Sequence, residues 1–235
     1  MEKIAFLAAF LCLAGAGFGQ NTGDIDAVLG KIRWLHHASI LIKDAGKNIY
    51  IDPYKIKDPE KADLILITHS HHDHLSPDDI AAVWKEGCVI VCTAESAKKL
   101  EKYSPVVVKP GDKLTAVGYK CEAVPAYNKS KPFHPKKSEN AGYVIEIGKV
   151  RVYHAGDTDY IEEMKTLKNI GIAFLPCGGT YTMDVNEAAE AVKAIRPVVA
   201  VPIHYGLIVG SQKNALEFKK AASPYTRVEI LKQGD

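Results

Sequence analysis

The chain has 235 residues, enough for one substantial domain or two small ones. Hydrophobic residues make up 47% and charged residues 25%, the ordinary balance of a soluble globular protein. A net charge of +2, with no basic run interleaved with aromatics, excludes an electrostatic case for nucleic-acid binding.

Residues 1–19 read as a secretory signal peptide and not as part of the fold. Lys3 gives a short basic start, 4–14 is an apolar core too short to span a bilayer comfortably, and 15–19 is a glycine-rich tail. Cleavage near Gly19 would leave a domain over 20–235, periplasmic or secreted, without stable membrane insertion. Cys12 lacks the small preceding residue of a lipoprotein signal. Export permits disulfides, yet Cys88, Cys92, Cys121 and Cys177 do not resemble a framework. Cys88 and Cys92 flank one extended run and stand roughly 13 Å apart, too far to bridge each other. Buried free thiols are expected.

Short β runs are expected over 31–35, 39–43 and 48–51, with turns at Asp44-Ala45-Gly46 and Asp52-Pro53. The apolar run Leu64-Ile65-Leu66-Ile67 reads as a buried strand, too short for an ordinary helix. Within the six residues after Thr68 stand His69, His71, His72, Asp73 and His74. Neutral imidazole and carboxylate suit Zn²⁺, with iron and manganese as alternatives. In an extended turn, residues two apart point the same way, so His69 and His71 can grip one ion. Asp73 and His74, one turn onward, can reach a second. An exposed histidine-rich run also binds metal adventitiously, but this one sits at the mouth of a buried strand. Ser76-Pro77 then supplies an N-cap and a first-turn proline for a helix over 78–85.

Further on, a strand is expected over 88–93, a helix over 95–102, and strands over 106–108, 113–117 and 120–124. Residues 125–140 contain three prolines and no regular pattern, and so long a loop is usually functional or disordered. His134 is its one side chain able to complete a metal sphere. A hairpin over 142–147 and 150–154 runs into Ala155-Gly156-Asp157, which reads either as a plain turn or as a carboxylate projected into a cleft. A short helix over 164–167 and a strand over 172–175 follow. A capping box, Asp184 to Glu187, opens a helix to Ile195. The apolar strand 198–203 ends at His204-Tyr205-Gly206. A helix over 212–222 and a strand over 228–231 finish the chain.

His69-x-His71-x-Asp73-His74 resembles the signature of the metallo-β-lactamase superfamily at every defined position, with His72 in a variable slot. Trp34-Leu35-His36-His37-Ala38-Ser39 is similar to a Trp-Leu-Gly-His-Ala-Ser segment of some members, with His36 in place of glycine. There His37 would support the metal site from behind. Gly156-Asp157-Thr158 resembles the aspartate that bridges two metals, and His204 with Gly206 resembles the last ligand motif. The likeness covers nearly all of 31–231.

The resemblance implies an α/β fold, the four-layer αββα sandwich, with the ligands on loops at one edge and Gly178, Gly179 and Tyr205 on the same rim. It implies two Zn²⁺ per chain: His69 and His71 on the first, Asp73, His74 and His204 on the second, and Asp157 between them. The usual third histidine of the first site would fall on Tyr127 or Asn128, and none is there. His134 is the candidate substitute, as ligand or as substrate contact. The implied activity is metal-dependent hydrolysis, in which a metal-bridging hydroxide cleaves an ester, lactone, amide or phosphoester of a small molecule. Asp73 and Asp157 would be the catalytic carboxylates. Asp157 points away from true β-lactamases, in which other residues replace it. The motifs are most similar to the branch holding ascorbate phosphate lactonases and N-acyl-phosphatidylethanolamine phospholipase D. A non-catalytic exported metal binder is the competing expectation.

Overall fold

Two sheets account for most of the chain in the computed structural model, which describes residues 21–234. The expected signal peptide over 1–19 lies outside the described residues. A first helix, α1 (Thr22–Leu29), precedes strands β1 (Ile32–His36), β2 (Ser39–Asp44), β3 (Lys47–Ile51) and β4 (Leu64–Ile67). Helix α2 (Pro77–Val83) leads to β5 (Val89–Thr93), and α3 (Ala94–Ala97) towards β6 (Val106–Val108). These six strands lie side by side in sequence order. β1 to β3 form an antiparallel meander, and β3 to β6 run parallel.

The second sheet takes β7 (Lys113–Ala116), β8 (Tyr119–Pro125), β9 (Ala141–Ile147), β10 (Val150–His154) and β11 (Ile170–Pro176). After α4 (Val185–Ile195) it adds β12 (Val199–Ile203), and after α5 (Gln212–Ala222) it adds β13 (Arg227–Val228). Right-twisted parallel strands joined through helices place those helices on the faces of a sheet.

Burial alternates as the pleat demands. Leu64 and Leu66 of β4 join the core shared with the second sheet, through Ala123, Tyr143, Ile145 and Val152. Ile65 and Ile67 face the other way, against Ile80 and Val83 of α2 and Leu100. Each such side chain stabilises the fold by about 1.5–3 kcal/mol. On the far side, α4 and α5 cover the second sheet with Ala188, Val192, Ile195, Ala215 and Phe218. This is the expected αββα order. At the site edge the sheets are tied directly. Tyr143 donates its hydroxyl to the Ile67 carbonyl (2.9 Å), and Ala141 N–H donates to Thr68 O (3.1 Å).

Three elements differ from expectation. The helix expected over 95–102 is the single turn α3 followed by a 3-10 turn, Glu101–Tyr103. Pro105 disfavours helix at Ser104, and Lys99 donates Nζ to the Ser70 carbonyl (2.7 Å). Helix α1 was not foreseen. Asn21 caps it, its side chain accepting from Gly23 N–H, and Ile25 and Val28 bury one stripe. The last strand stops at Val228 because the chain crosses to the other sheet, where Gly234 N–H donates to Trp34 O (2.9 Å). Cys92, Cys121 and Cys177 are buried free thiols, as expected, while Cys88 is free but only half-buried. Among the described residues, no helix is long and apolar enough to cross a membrane.

Candidate metal centre

The site lies where β4, β10 and β12 end on one edge of the sandwich. Past Ile67 the chain stops pairing, and Thr68 is held by Asp52 instead. Thr68 N–H donates to Asp52 Oδ1 (2.8 Å) and its hydroxyl to Oδ2 (2.6 Å). His74 N–H and Leu75 N–H both donate to His71 O (3.1 and 2.8 Å), closing one turn that swings His74 back under the strand end. Ser76 then caps α2 by accepting from Asp79 N–H (3.3 Å).

Asp52 also fixes which ring nitrogens are free. His74 Nδ1 lies 2.7 Å from Asp52 Oδ2, and His69 Nδ1 lies 3.0 Å from the Thr68 hydroxyl. With the Thr68 proton given to Asp52, both histidines donate from Nδ1. Their Nε2 lone pairs then point into the site, the arrangement by which a carboxylate orients a histidine ligand.

Two clusters of donor atoms result. In the first, His71 Nδ1 stands 3.0 Å from His69 Nε2 and 2.9 Å from His134 Nε2. The second gathers His37, Asp73, His74 and His204, with donor atoms all within 4.8 Å of one another. Asp157 lies between the two. Its Oδ2 is 3.4 Å from His134 Nε2, 3.9 Å from His69 Nε2 and 3.1 Å from His204 Nε2, while Oδ1 is 3.2 Å from His74 Nε2. The expected set of His69, His71, Asp73, His74, His134, Asp157 and His204 thus converges completely. His72 does not, its side chain being 80% exposed.

The backbone is bent to achieve this. Asp52, His37, His134 and His204 all have left-handed φ, between 48° and 58°. Each such conformation costs non-glycine residues of order 1 kcal/mol or more, and it persists only where surrounding contacts determine it. His204 is held by His37, whose carbonyl accepts from both His204 N–H (2.9 Å) and the Trp34 indole (2.8 Å). The His204 carbonyl in turn packs on Gly178, where an added Cβ would lie 2.3 Å from it. Asp157 follows Gly156, whose φ of 63° would strain any side chain and whose added Cβ would press on Thr68 at 3.1 Å.

His134 comes from the long loop. Asn128 N–H donates to His134 O (2.8 Å), while Asn128 Nδ2 donates to Phe133 O (2.9 Å) and Tyr181 O (2.7 Å). Lys131 pairs with the buried Asp159 and with Glu187 (3.2 Å) at the start of α4, pinning the loop down.

The electrostatics favour a cation. Burial would raise the Asp157 carboxyl, but the His204 and His74 rings beside it overcome this and hold it well below the usual range. Burial likewise opposes ionisation of Asp73, and the hydrogen bond from His37 (3.1 Å) with the His74 ring brings it below the usual range. Burial pushes His37 down to about 4 and also lowers His69, His71 and His134. Burial would lower His74 as well, yet the Asp157 and Asp52 charges outweigh it and raise His74 well above its ordinary value. His204 Nδ1 is buried with no hydrogen-bond partner, and His74 Nε2 and His204 Nε2 meet the Asp157 carboxylate at 3.2 and 3.1 Å without good hydrogen-bond geometry. A buried polar atom left so is costly. One shared proton cannot satisfy three converging imidazole nitrogens. Burial keeps His69, His71 and His134 neutral, the carboxylates are ionised, and His74 carries a proton that a bound cation would displace; together they are a donor set that a transition-metal cation would satisfy.

Asp52, Lys131 and Asp159 were not legible as site residues in the sequence. Asp52-Pro53 carries an ordinary turn signal, and a lysine in a polar loop carries none. Tyr205, expected on the rim, is instead buried and stacked on Trp34 at a ring separation of 5.1 Å.

The chain is similar in sequence and fold to known proteins. Residues 31–204 match the Beta-lactamase superfamily domain. A UPF0173 metal-dependent hydrolase of Thermococcus onnurineus is 36% identical over 220 residues, covering 87% of this chain and 97% of the relative. A solved protein from Parabacteroides distasonis is 38% identical with a TM-score of 0.76, covering 86% of this chain and 92% of that one. The metallo hydrolase Igni18 of Ignicoccus hospitalis is 26% identical with a TM-score of 0.73, over 87% and 95% of the two chains. The domain match and the near full-length identity show that the chain belongs to the β-lactamase superfamily and, within it, to the UPF0173 metal-dependent hydrolases.

Proposed function

We propose that the protein is a hydrolase whose two donor clusters hold two divalent metal ions, zinc first, with iron or manganese as alternatives. His69, His71 and His134 would hold one ion, Asp73, His74 and His204 the other, and Asp157 would reach both. Bound there, the ions would supply a nucleophilic water of lowered pKa and polarise the scissile carbonyl or phosphoryl group. The single observation that supports this best is Asp157. It is buried and ionised, and it stands within 3.9 Å of donors from both clusters.

The chain's own residues do the rest. Asp52 and Thr68 hold His74 and His69 in the tautomers that leave Nε2 free. His37 occupies Asp73 Oδ2, which keeps that carboxylate ionised and in place. Asp73 faces the second cluster through that same Oδ2, 3.7 Å from His74 Nε2 and 3.9 Å from His204 Nε2, and its carboxylate would accept the proton of an attacking water. His37 therefore acts through Asp73, and we assign it no direct bond to metal.

Dialysis against a chelator and reconstitution tests this reading. The zinc-loaded protein should hydrolyse simple esters or phosphodiesters, lose turnover with the metal, and regain it on adding zinc, iron or manganese back. A protein that takes up two ions yet turns over none of these substrates would be the non-catalytic metal binder instead.

A further inference from the structure

The rim around the site distinguishes among the substrates that such a centre could cleave. Among the described residues, seven large apolar side chains are exposed, and three of them lie beside site histidines. Phe133 (44% exposed) precedes His134, and Leu207 (36%) and Ile208 (40%) follow His204. Gly206 N–H donates to Val209 O (3.0 Å), so Leu207 and Ile208 stand at the tip of a closed turn.

The two loops are linked through residues 178–181. The 205–210 turn packs on Gly178, where an added Cβ would meet Val209 Cγ1 at 2.9 Å. From Gly178 the chain runs to Tyr181, whose carbonyl accepts from Asn128 Nδ2 and whose ring stands edge-on to Phe133 at 5.0 Å. Phe133 and Tyr181 are in contact, and Leu207 and Ile208 are carried by the turn that packs on the same 178–181 segment, so all four belong to the segments that position His134 and His204. Exposed apolar groups gathered at a site mark a binding surface for an apolar group.

Charge at the mouth points the same way. Recognition of a phosphate beyond the metals would call for a free lysine or, better, an arginine fork. Three lysines near this rim are engaged, Lys131 with Asp159 and Glu187, Lys136 with Glu163, and Lys99 with the Ser70 carbonyl, while Lys55 lies over the ring of Tyr54. Lys129 lies over the Tyr160 ring. The arginines are placed elsewhere. Arg33 pairs with Glu60, Arg151 with Glu122, and Arg227 with Asp26, while Arg196 caps the C-terminal end of α4.

We propose that the site takes an uncharged carbonyl compound, an ester, amide or lactone, whose apolar acyl group packs against Phe133, Tyr181, Leu207 and Ile208. This rests on the hydrolase reading above. Water adds to the acyl carbon, the bond to the leaving oxygen or nitrogen breaks, and that atom takes a proton. The products are a carboxylic acid and an alcohol or amine, with no oxidant or further reactant required.

The test uses the full chain loaded with zinc, p-nitrophenyl esters from acetate to hexanoate, and bis(p-nitrophenyl) phosphate. We expect kcat/KM to rise about two- to fourfold per methylene of the acyl chain. The phosphodiester should be the poorer substrate. Ile208→Ser and Phe133→Ser should each flatten the chain-length dependence, the hexanoate losing at least about fivefold more than the acetate. Leu216→Ser, an exposed residue on α5, should leave the dependence as it is. A flat dependence in the unaltered protein, or a phosphodiester that outperforms the hexanoate, would overturn the substrate assignment and leave the hydrolase reading intact. No turnover of either class would overturn the hydrolase reading itself.

Discussion

Two segments deliver histidines to the first donor cluster by opposite means. The turn after β4 brings His69 and His71 within a few residues of a fully buried strand, with Asp52 and a capped helix fixing the ends. The loop between β8 and β9 brings His134 from 63 positions further along the chain, and its hold depends on Asn128 and Lys131. In the turn, rigidity comes from the sheet itself. In the loop it is assembled from side chains, one hydrogen bond or ion pair at a time. A ligand set can therefore be complete although only part of it rests on regular structure.

The largest effect should come from the residue both clusters share. Asp157→Asn removes the charge that faces His74 and His204, and kcat/KM should fall about a thousandfold, roughly 4 kcal/mol of transition-state stabilisation. Circular dichroism should show the fold retained. A variant with more than a tenth of the original activity would mean that Asp157 is not common to the two clusters.

Loosening the loop should affect one cluster and spare the other. Lys131→Met leaves Asp159 without its charged partner and should weaken binding of one of two zinc ions by about tenfold, as supporting residues around metals commonly do. Lys131→Arg should restore most of that affinity, because it keeps the ion pairs. Calorimetric zinc titration distinguishes this from general destabilisation, which would weaken both ions together. Equal weakening of both would show that the loop does not serve one cluster.

The smallest effect belongs to His72, within the turn but pointing to solvent. His72→Ala should change kcat/KM and zinc content by less than about twofold, as surface substitutions do. A loss as large as that of Asp157→Asn would mean that the turn is registered differently from what its geometry shows.

The same contrast explains what the sequence disclosed. The turn was legible because its residues are contiguous: an apolar strand, then donors at fixed spacing, then Ser76-Pro77. Asp157 and His204 were legible at strand ends once the first motif was in hand. His134 was visible only as the one histidine of a long loop, since nothing local says where such a loop folds. Asp52 was hidden because its partners, Thr68 and His74, stand 16 and 22 positions away. Helix α1 was missed for a local reason, since only Ile25 and Val28 mark its buried stripe. The helix expected over 95–102 failed because the link to β6 ends at Pro105 and Lys99 is drawn to Ser70.

The central claim is that two segments of different origin complete one centre for two metals. Metal analysis of the zinc-loaded protein beside its His134→Ala variant tests it most directly. The account predicts two equivalents in the unaltered chain and one in the variant, with the second recovered only at higher free zinc. Two tightly held equivalents in His134→Ala would contradict it, because the loop would then contribute nothing to the centre.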